Sequence, residues 1–172
     1  MVNRTRSADG TSIAYQQRGE GPALVLVVGA FCTRHTTNEL AALLQNDFTV
    51  YEYDRRGRGD STDTPSYSPE REVEDLVAVI DAAGGSAALF GHSSGAILAL
   101  ETAATSHTVN AVIAYEPPYR HLRSDVTSRI GELIAADNRK QAIDPNQTRN
   151  DAYDGPKATS GERCPNSLGK SS

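Results

Sequence analysis

The sequence is poor in cysteine, has no excess of positive charge and contains no long apolar run, and each shortage excludes a class of protein. Its 172 residues include only Cys32 and Cys164, which is too few for a disulfide framework or a four-thiolate zinc site. Acidic residues outnumber basic ones by 22 to 17, so the chain lacks the basic surface that binds nucleic acid or anionic lipid. We therefore expect no nucleic-acid partner, and no metal-ligand spacing is present.

Hydrophobic segments are short throughout the chain. The longest, residues 23–32, falls well short of the ~20 residues that a membrane helix requires. The first six residues are polar and lack the apolar core of a signal peptide. These features predict a soluble cytoplasmic protein that does not enter a membrane. No dinucleotide-binding fingerprint is present either, and we expect no cofactor.

Apolar runs and helical patterns alternate along the chain. Asp9-Gly10 predicts the turn of an N-terminal β-hairpin. Ser68 is the expected N-cap of a helix that starts with Pro69 and stops at Gly84. Core strands are predicted over 23–28, 48–53, 87–90 and 109–115, and the other helices over 38–45, 94–105 and 125–137. This alternation predicts an α/β fold with a mainly parallel, doubly wound sheet.

The composition changes after residue 143. Residues 144–172 hold only a few apolar side chains, and Pro, Gly, Asn, Ser, Lys and Asp dominate. Such a segment cannot bury enough apolar area to offset the entropy lost on ordering. The sequence therefore predicts a folded part over residues 1–143 and a polar, disordered tail over residues 144–172.

The most specific motif is Gly91-His92-Ser93-Ser94-Gly95, which matches the pattern Gly-x-Ser-x-Gly. An apolar run precedes it and a helical pattern follows it, as in a nucleophile elbow. Such a turn exposes Ser93 Oγ, while the N–H of Ser94 at the helix start can donate to a developing oxyanion. The loop after the first core run predicts a second oxyanion donor at the N–H of Ala30. The alternative interpretation is a glycine-rich turn without chemistry.

These motifs resemble those of the α/β-hydrolase superfamily, specifically its small bacterial serine hydrolases. Three landmarks occur in order: the Gly29-Ala30-Phe31 loop, the Asp54–Ser61 loop with its Asp-x-Arg-Gly-x-Gly-x-Ser pattern, and the Gly91–Gly95 motif. The similarity runs from about residue 8 to about residue 140. It implies an α/β-hydrolase fold and esterase-like acyl transfer on a small-molecule substrate. Asp54 and Arg56 are interpreted as organisers of their loop.

The resemblance also implies a catalytic acid and a catalytic His, which family members carry after a lid. Here a lid would begin near residue 122, and the chain then enters the polar tail. This is the pattern expected of a C-terminally truncated hydrolase, whose exposed sheet edge would favour self-association. The alternative function is a non-catalytic remnant that binds a ligand or a partner.

Three residues are candidates for the missing acid and base. Serine is a weak nucleophile that needs an adjacent base, and in known triads that base is a His held by a carboxylate. His35 follows the oxyanion loop and His121 follows the fourth core run, so both belong to the end of the sheet where Ser93 is expected. Glu116 ends that fourth run and would complete a Glu116–His121–Ser93 arrangement. The alternatives are solvated loop histidines and a glutamate that stabilises the Pro117-Pro118 turn.

Overall fold

The computed structural model describes residues 1–118, which build one mixed sheet and the helices that cover it. The strands are β1 (Asn3–Arg6), β2 (Ser12–Arg18), β3 (Ala23–Val27), β4 (Thr49–Tyr53), β5 (Ala87–His92) and β6 (Val109–Tyr115). The helices are α1 (Asn38–Leu44), α2 (Pro69–Ala82) and α3 (Ser94–Thr105), with a short 3-10 helix over Arg34–Thr37. The predicted lid helix over 125–137, the tail over 144–172 and His121 lie outside the described residues.

The strand order across the sheet is β1-β2-β4-β3-β5-β6. The four strands β4, β3, β5 and β6 run parallel to their neighbours, while the β1–β2 hairpin joins β4 in antiparallel pairing. The predicted doubly wound α/β sheet with an N-terminal hairpin is confirmed. Because parallel neighbours present their carboxyl ends at the same edge, the loops after β3, β4, β5 and β6 all leave the sheet at one end.

Apolar side chains fill both faces of the sheet at its central parallel strands β3 and β5. On one face, Val25, Val27 and Leu89 pack with the apolar stripe of α2 and with α3. On the other face, Leu24 and Leu26 pack in a cluster that includes α1. Successive side chains of a strand point to opposite faces, so burial on both faces requires an unbroken apolar run. That requirement explains the run of apolar residues at β3.

Strand β6 lies at the end of the sheet and is the least covered of the parallel strands. Its side chains Ile113 and Tyr115 are 60% and 54% exposed. Tyr115 stacks on Phe90 of β5, with ring centroids 6.3 Å apart. In the part of the chain that the structure describes, no strand pairs with the second edge of β6.

Two sequence predictions need correction at element ends. Helix α2 begins at Pro69 as expected, but the Ser68 side chain makes no capping hydrogen bond. Instead the N–H of Arg71 donates to the Ser68 carbonyl oxygen over 3.1 Å, and a hydrogen bond from Ser68 lowers the pKa of Glu70. Strand β5 extends two residues beyond the predicted end because its pairing with β6 continues to His92.

Candidate active site

Backbone strain concentrates at the carboxyl ends of three adjacent parallel strands. Among residues 1–118, only three residues other than glycine have positive φ: Phe31 at 61°, Ser93 at 54° and Glu116 at 49°. Phe31 follows β3 by four residues, and Ser93 and Glu116 follow β5 and β6 directly. Conformations of this kind cost about 1–3 kcal/mol each and cluster at functional sites. The strain therefore marks this end of the sheet as the candidate active site.

Ser93 is held between a strand and a helix. It is half-buried and lies between His92, the last residue of β5, and Ser94, the first residue of α3, with φ 54° and ψ −123°. Its N–H donates to the Tyr115 carbonyl oxygen over 2.9 Å, and its own carbonyl accepts from the N–H of Ala96 over 2.9 Å. These two bonds fix the Ser93 backbone between β6 and the first turn of α3.

The two glycines that flank Ser93 are required by close packing. A Cβ at Gly91 would lie 2.5 Å from the Ala96 Cα and 2.5 Å from the Gly95 carbonyl oxygen. A Cβ at Gly95 would overlap the Val27 carbonyl oxygen and lie 2.6 Å from that of Val28. All of these neighbours are backbone atoms, which cannot rotate away. Helix α3 therefore approaches β5 and the end of β3 as closely as it does only because both positions lack a side chain.

The loop after β3 lies directly beside Ser93. Gly29 is buried, and a Cβ there would lie 3.3 Å from the Ser93 Cβ. Ala30, the next residue, is exposed. Within residues 1–118, the N–H groups of Ala30 and Ser94 donate to no backbone carbonyl. Within the described part of the chain, neither predicted oxyanion donor is thus used in backbone pairing, and both belong to segments that adjoin Ser93.

The loop after β4 is organised around the carboxylate of Asp54. Asp54 is fully buried and accepts hydrogen bonds from the N–H of Arg34 at 2.8 Å and of Asp60 at 3.0 Å. The guanidinium of Arg34 pairs with the same carboxylate. The Ser61 hydroxyl donates to the Asp54 carbonyl oxygen over 2.6 Å. A Cβ at Gly59 would overlap the Asp54 carboxylate, so this position also requires glycine.

Arg56 ties the same loop to α2 and to the β1–β2 turn. Its guanidinium bonds both carboxylate oxygens of Asp75 at 2.7 Å and the carboxylate of Asp9 at 2.9 Å. Arg56 and Asp75 are both almost completely buried. Arg56 also donates to the Arg71 carbonyl oxygen over 3.1 Å. Every one of these contacts connects elements of the fold, and none reaches Ser93.

Two carboxyl groups of this region have lowered pKa values. Hydrogen bonds from the Thr11 hydroxyl and N–H, and then from Arg56, hold the pKa of Asp9 well below its usual range. The hydrogen bond and the charge of Arg34 lower the pKa of Asp60. Both groups therefore take up protons less readily in the folded state than in the unfolded state.

From these directions we expect the stability to fall on acidification. The unfolded chain binds protons at the ordinary aspartate pKa of about 3.9, whereas the folded chain resists them, so the contribution is complete above that pH and is lost below it. Urea unfolding at pH 7, 5 and 3.5 measures this decline. Asp9→Asn should flatten the decline, whereas Asp81→Asn, at an exposed position of α2, should not. Equal midpoints at pH 7 and 3.5 would contradict the expectation.

The structure brings one of the three acid and base candidates near Ser93. Glu116 is exposed and directly follows Tyr115, whose carbonyl accepts the Ser93 N–H. His35 is exposed in the 3-10 helix, and no hydrogen bond joins it to Ser93. The ring of His92 packs against Tyr115, with centroids 5.8 Å apart. Within the described residues, then, no histidine hydrogen-bonds Ser93.

A cavity of about 570 Å³ lies between α2 and α3 and reaches Ser94. Ile97 and Leu98 of α3 and Val73 of α2 give it apolar walls, and Arg55 lies beside Ser94. Sequence reasoning did not identify this cavity. It depends on the angle between two helices, which the apolar pattern of either helix does not specify.

The pairing of the Arg55-Arg56 dipeptide with α2 was also missed, although the sequence carries a signal for it. Glu72 and Asp75 lie three residues apart and are both buried in α2. Arg55 pairs with Glu72, and Arg56 pairs with Asp75. Acidic residues at helical spacing beside an apolar stripe indicate a buried partner of opposite charge, since an isolated buried carboxylate is very costly.

Two further properties of the described residues concern membrane-spanning helices and groups of metal-binding side chains. Among residues 1–118, no helix combines the length and the apolar character needed to cross a membrane. In the same part of the chain, no three side chains of His, Cys, Asp or Glu come together in a group that would hold a metal ion.

Comparison with known proteins gives consistent matches. Residues 24–165 match the model of the alpha/beta hydrolase family. The chain is 34% identical over 122 residues to the uncharacterized hydrolase YraK of Bacillus subtilis. It is similar to the crystal structure of an alpha/beta hydrolase from Sphaerobacter thermophilus, with 43% identity and a TM-score of 0.81. A hydrolase from Pseudomonas aeruginosa gives 25% identity and a TM-score of 0.71.

The chain spans only part of each of these proteins. The match covers 67% of this chain and 44% of the B. subtilis protein. The S. thermophilus structure matches 90% of this chain, which corresponds to 62% of that protein, and the P. aeruginosa structure gives 86% and 56%. The matched part of this chain therefore spans 44% to 62% of the length of these three proteins.

Proposed function

The chain belongs to the alpha/beta hydrolase family, and from this premise we propose that it is a serine hydrolase acting on small ester substrates. Ser93 attacks the carbonyl carbon, and the N–H groups of Ala30 and Ser94 hold the oxygen that becomes negative. The observation that carries the proposal is the placement of Ser93. It is a strained residue between β5 and α3, beside Gly29 of a loop in which the next N–H, that of Ala30, bonds no backbone carbonyl among residues 1–118.

The proposed reaction begins with attack by the Ser93 hydroxyl. Its Oγ forms a bond to the carbonyl carbon, the carbonyl π electrons move to oxygen, and the hydroxyl proton passes to a base. His121 is the proposed base and Glu116 the proposed acid that orients it, with His35 as the alternative base. Collapse of the adduct breaks the bond to the alcohol oxygen, which takes the proton back from the base, and leaves an acyl group on Ser93. Water then loses a proton to the base and attacks the acyl carbon, and the carboxylic acid departs as the proton returns to Ser93 Oγ.

The cavity between α2 and α3 supports an ester with an apolar portion. Its apolar walls, from Ile97, Leu98 and Val73, end at Ser94. Ligand sites combine apolar walls with a few polar groups that fix orientation. We propose that this cavity receives the apolar part of the substrate while the carbonyl group lies at Ser93.

A fluorophosphonate probe tests the proposal directly, because it phosphonylates an activated serine with loss of fluoride. We expect wild-type protein to gain one adduct, seen by intact mass and mapped to Ser93 by peptide analysis. Ser93→Ala should gain none. Ser86→Ala is the matched control and should react as the wild type does. Ser86 is exposed and precedes β5, so it lies at the opposite end of that strand from Ser93.

The alternative function is a ligand- or partner-binding domain without catalysis. The exposed side chains of Ile113 and Tyr115 on the end strand β6 favour it, since an apolar strand at a sheet edge invites association. A folded wild-type protein that gains no adduct would support this alternative. An adduct of equal yield on Ser93→Ala would show that the probe reacts elsewhere, and would contradict Ser93 as the nucleophile.

A further inference from the structure

One buried arginine bonds both chain segments that carry the proposed oxyanion donors. Arg55 is 6% exposed and lies in the loop after β4. Its Nη1 is 3.0 Å from the Ser94 Oγ and 3.2 Å from the Val28 carbonyl oxygen. A guanidinium Nη carries two hydrogens, so one nitrogen can serve both acceptors.

The two acceptors of the Arg55 hydrogen bonds belong to the same segments as the N–H groups of Ala30 and Ser94. Val28 immediately precedes Gly29 and Ala30, and its carbonyl belongs to the rigid peptide unit that begins that loop. Ser94 is itself the residue whose N–H is the other donor. Arg55 therefore bridges β3 and α3 at the point where their separation sets the distance between the two N–H groups.

The guanidinium of Arg55 is itself held from α2. Its Nε donates to the carboxylate of Glu72, which is 3% exposed and also accepts from the Tyr67 hydroxyl over 3.0 Å. Burial alone would raise the pKa of Glu72, but the hydrogen bond and charge of Arg55 outweigh burial and lower that pKa. The carboxylate thus stays ionised at neutral pH and keeps the guanidinium in one orientation.

We propose that Arg55 is a positioning residue, which fixes the Ala30 and Ser94 N–H groups relative to each other through its bonds to Val28 and Ser94. The proposal rests on the proposed function of those groups. Its neighbour Arg56 offers the contrast within the same loop, because among residues 1–118 the side-chain hydrogen bonds of Arg56 reach only Asp75, Asp9 and Arg71. A bridge of this kind acts on the reaction step rather than on substrate binding.

The first test separates reactivity from affinity in the fluorophosphonate reaction. Loss of one oxyanion donor costs about 10²–10³ in rate, so a displaced donor should cost about 10- to 100-fold. Arg55→Met should lower the maximal labelling rate by that factor and leave the half-saturating probe concentration within about threefold. Arg55→Lys has a single nitrogen, which cannot pair with Glu72 and also reach both acceptors as Nε and Nη1 do, so it should recover little of the loss. Arg71→Met, which breaks a partly exposed ion pair with Glu74 on α2, should change neither quantity.

Ser94→Ala gives a second, milder variant that removes one acceptor and leaves the Ser94 N–H in place. It should lower the maximal rate in the same direction. In the Arg55→Met background it should have almost no further effect, because the two substitutions break the same bridge. Additive effects in this double-mutant cycle, or a Ser94→Ala rate equal to that of the wild type, would overturn the proposal.

Backbone amide NMR tests the bridge even if the probe does not react. Arg55→Met should shift the Ala30 amide resonance, and so should Ser94→Ala. In the Arg55→Met background the Ser94→Ala effect on Ala30 should disappear. An unmoved Ala30 resonance in folded Arg55→Met protein would refute the bridge. If the variants show the expected resonance shifts but the wild-type protein gains no adduct, the bridge stands and the proposed hydrolase function is refuted.

Discussion

Replacing Arg56 by methionine is expected to lower the free energy of unfolding by about 3–5 kcal/mol, the usual cost of removing one partner of a buried ion pair. The change leaves Asp75, which is 1% exposed, without its bidentate partner, and it leaves Asp9 without its cation. Domains are stable by only about 5–15 kcal/mol, so a loss of this size removes a large share of the stability. Urea unfolding followed by circular dichroism measures it.

Arg71→Met is the matched control, since it removes an arginine of similar size from the same region. Its ion pair with Glu74 joins neighbouring turns of α2, where the two side chains are 40% and 36% exposed, and helix pairs at such spacings contribute only about 0.3–0.5 kcal/mol. Adding Asp75→Asn to Arg56→Met removes the uncompensated charge and should recover part of the loss. Equal unfolding free energies for Arg56→Met and Arg71→Met would show that the Arg56 pairs do not stabilise the fold.

Much of the fold could be predicted because its determinants are local in the sequence. The apolar run at β3 specifies a strand covered on both faces, and Pro69 with the following apolar stripe specifies α2. The Gly91–Gly95 pattern predicts a tight strand-to-helix turn. The structure gives the physical reason for it, since a side chain at either flanking glycine would meet backbone.

Features that depend on pairing across the fold could not be predicted. Neither the bridge from Arg55 to Val28 and Ser94 nor the end of β5 follows from neighbouring residues. The strand end depends on the register with β6, which pairs His92 with Tyr115. The N-cap prediction at Ser68 is correct only in part. Helix α2 starts at the next residue, as predicted, but the Ser68 side chain makes no capping hydrogen bond.

In the candidate site, too, some residues are marked by local sequence motifs, whereas others are recognised only from the fold. Ser93 and the loop at Ala30 are marked by short motifs, and the structure places these two segments side by side. Glu116 has no such motif. Its interest comes from a strained φ and from its position after Tyr115, which bonds Ser93 across two strands. A relation between residues that lie more than twenty positions apart is set by strand order, and strand order becomes known only with the fold.

Replacing Gly91 by alanine is expected to lower the free energy of unfolding by about 3 kcal/mol or more, at or above the upper end of overpacking costs. The added methyl would lie 2.5 Å from the Ala96 Cα and from the Gly95 carbonyl oxygen. Neither atom can move without shifting α3 away from β5. That shift breaks the support of Ser93, so the folded fraction should also lose fluorophosphonate labelling.

Gly29→Ala is the control that separates a steric clash from the general effect of adding a methyl group. At Gly29 the nearest atoms are the Ser93 Cβ at 3.3 Å, the His92 carbonyl oxygen at 3.4 Å and the His92 Nδ1 at 3.5 Å, so a methyl group fits after shifts of a few tenths of an ångström. The methyl also restricts the unfolded chain, which stabilises by about 0.4–1 kcal/mol where the backbone permits it. The Gly29→Ala protein should therefore unfold within about 1 kcal/mol of the wild type. If Gly91→Ala is equally stable, the contact between β5 and α3 is looser than the structure has it, and the glycines of the motif do not hold Ser93 in its strained conformation.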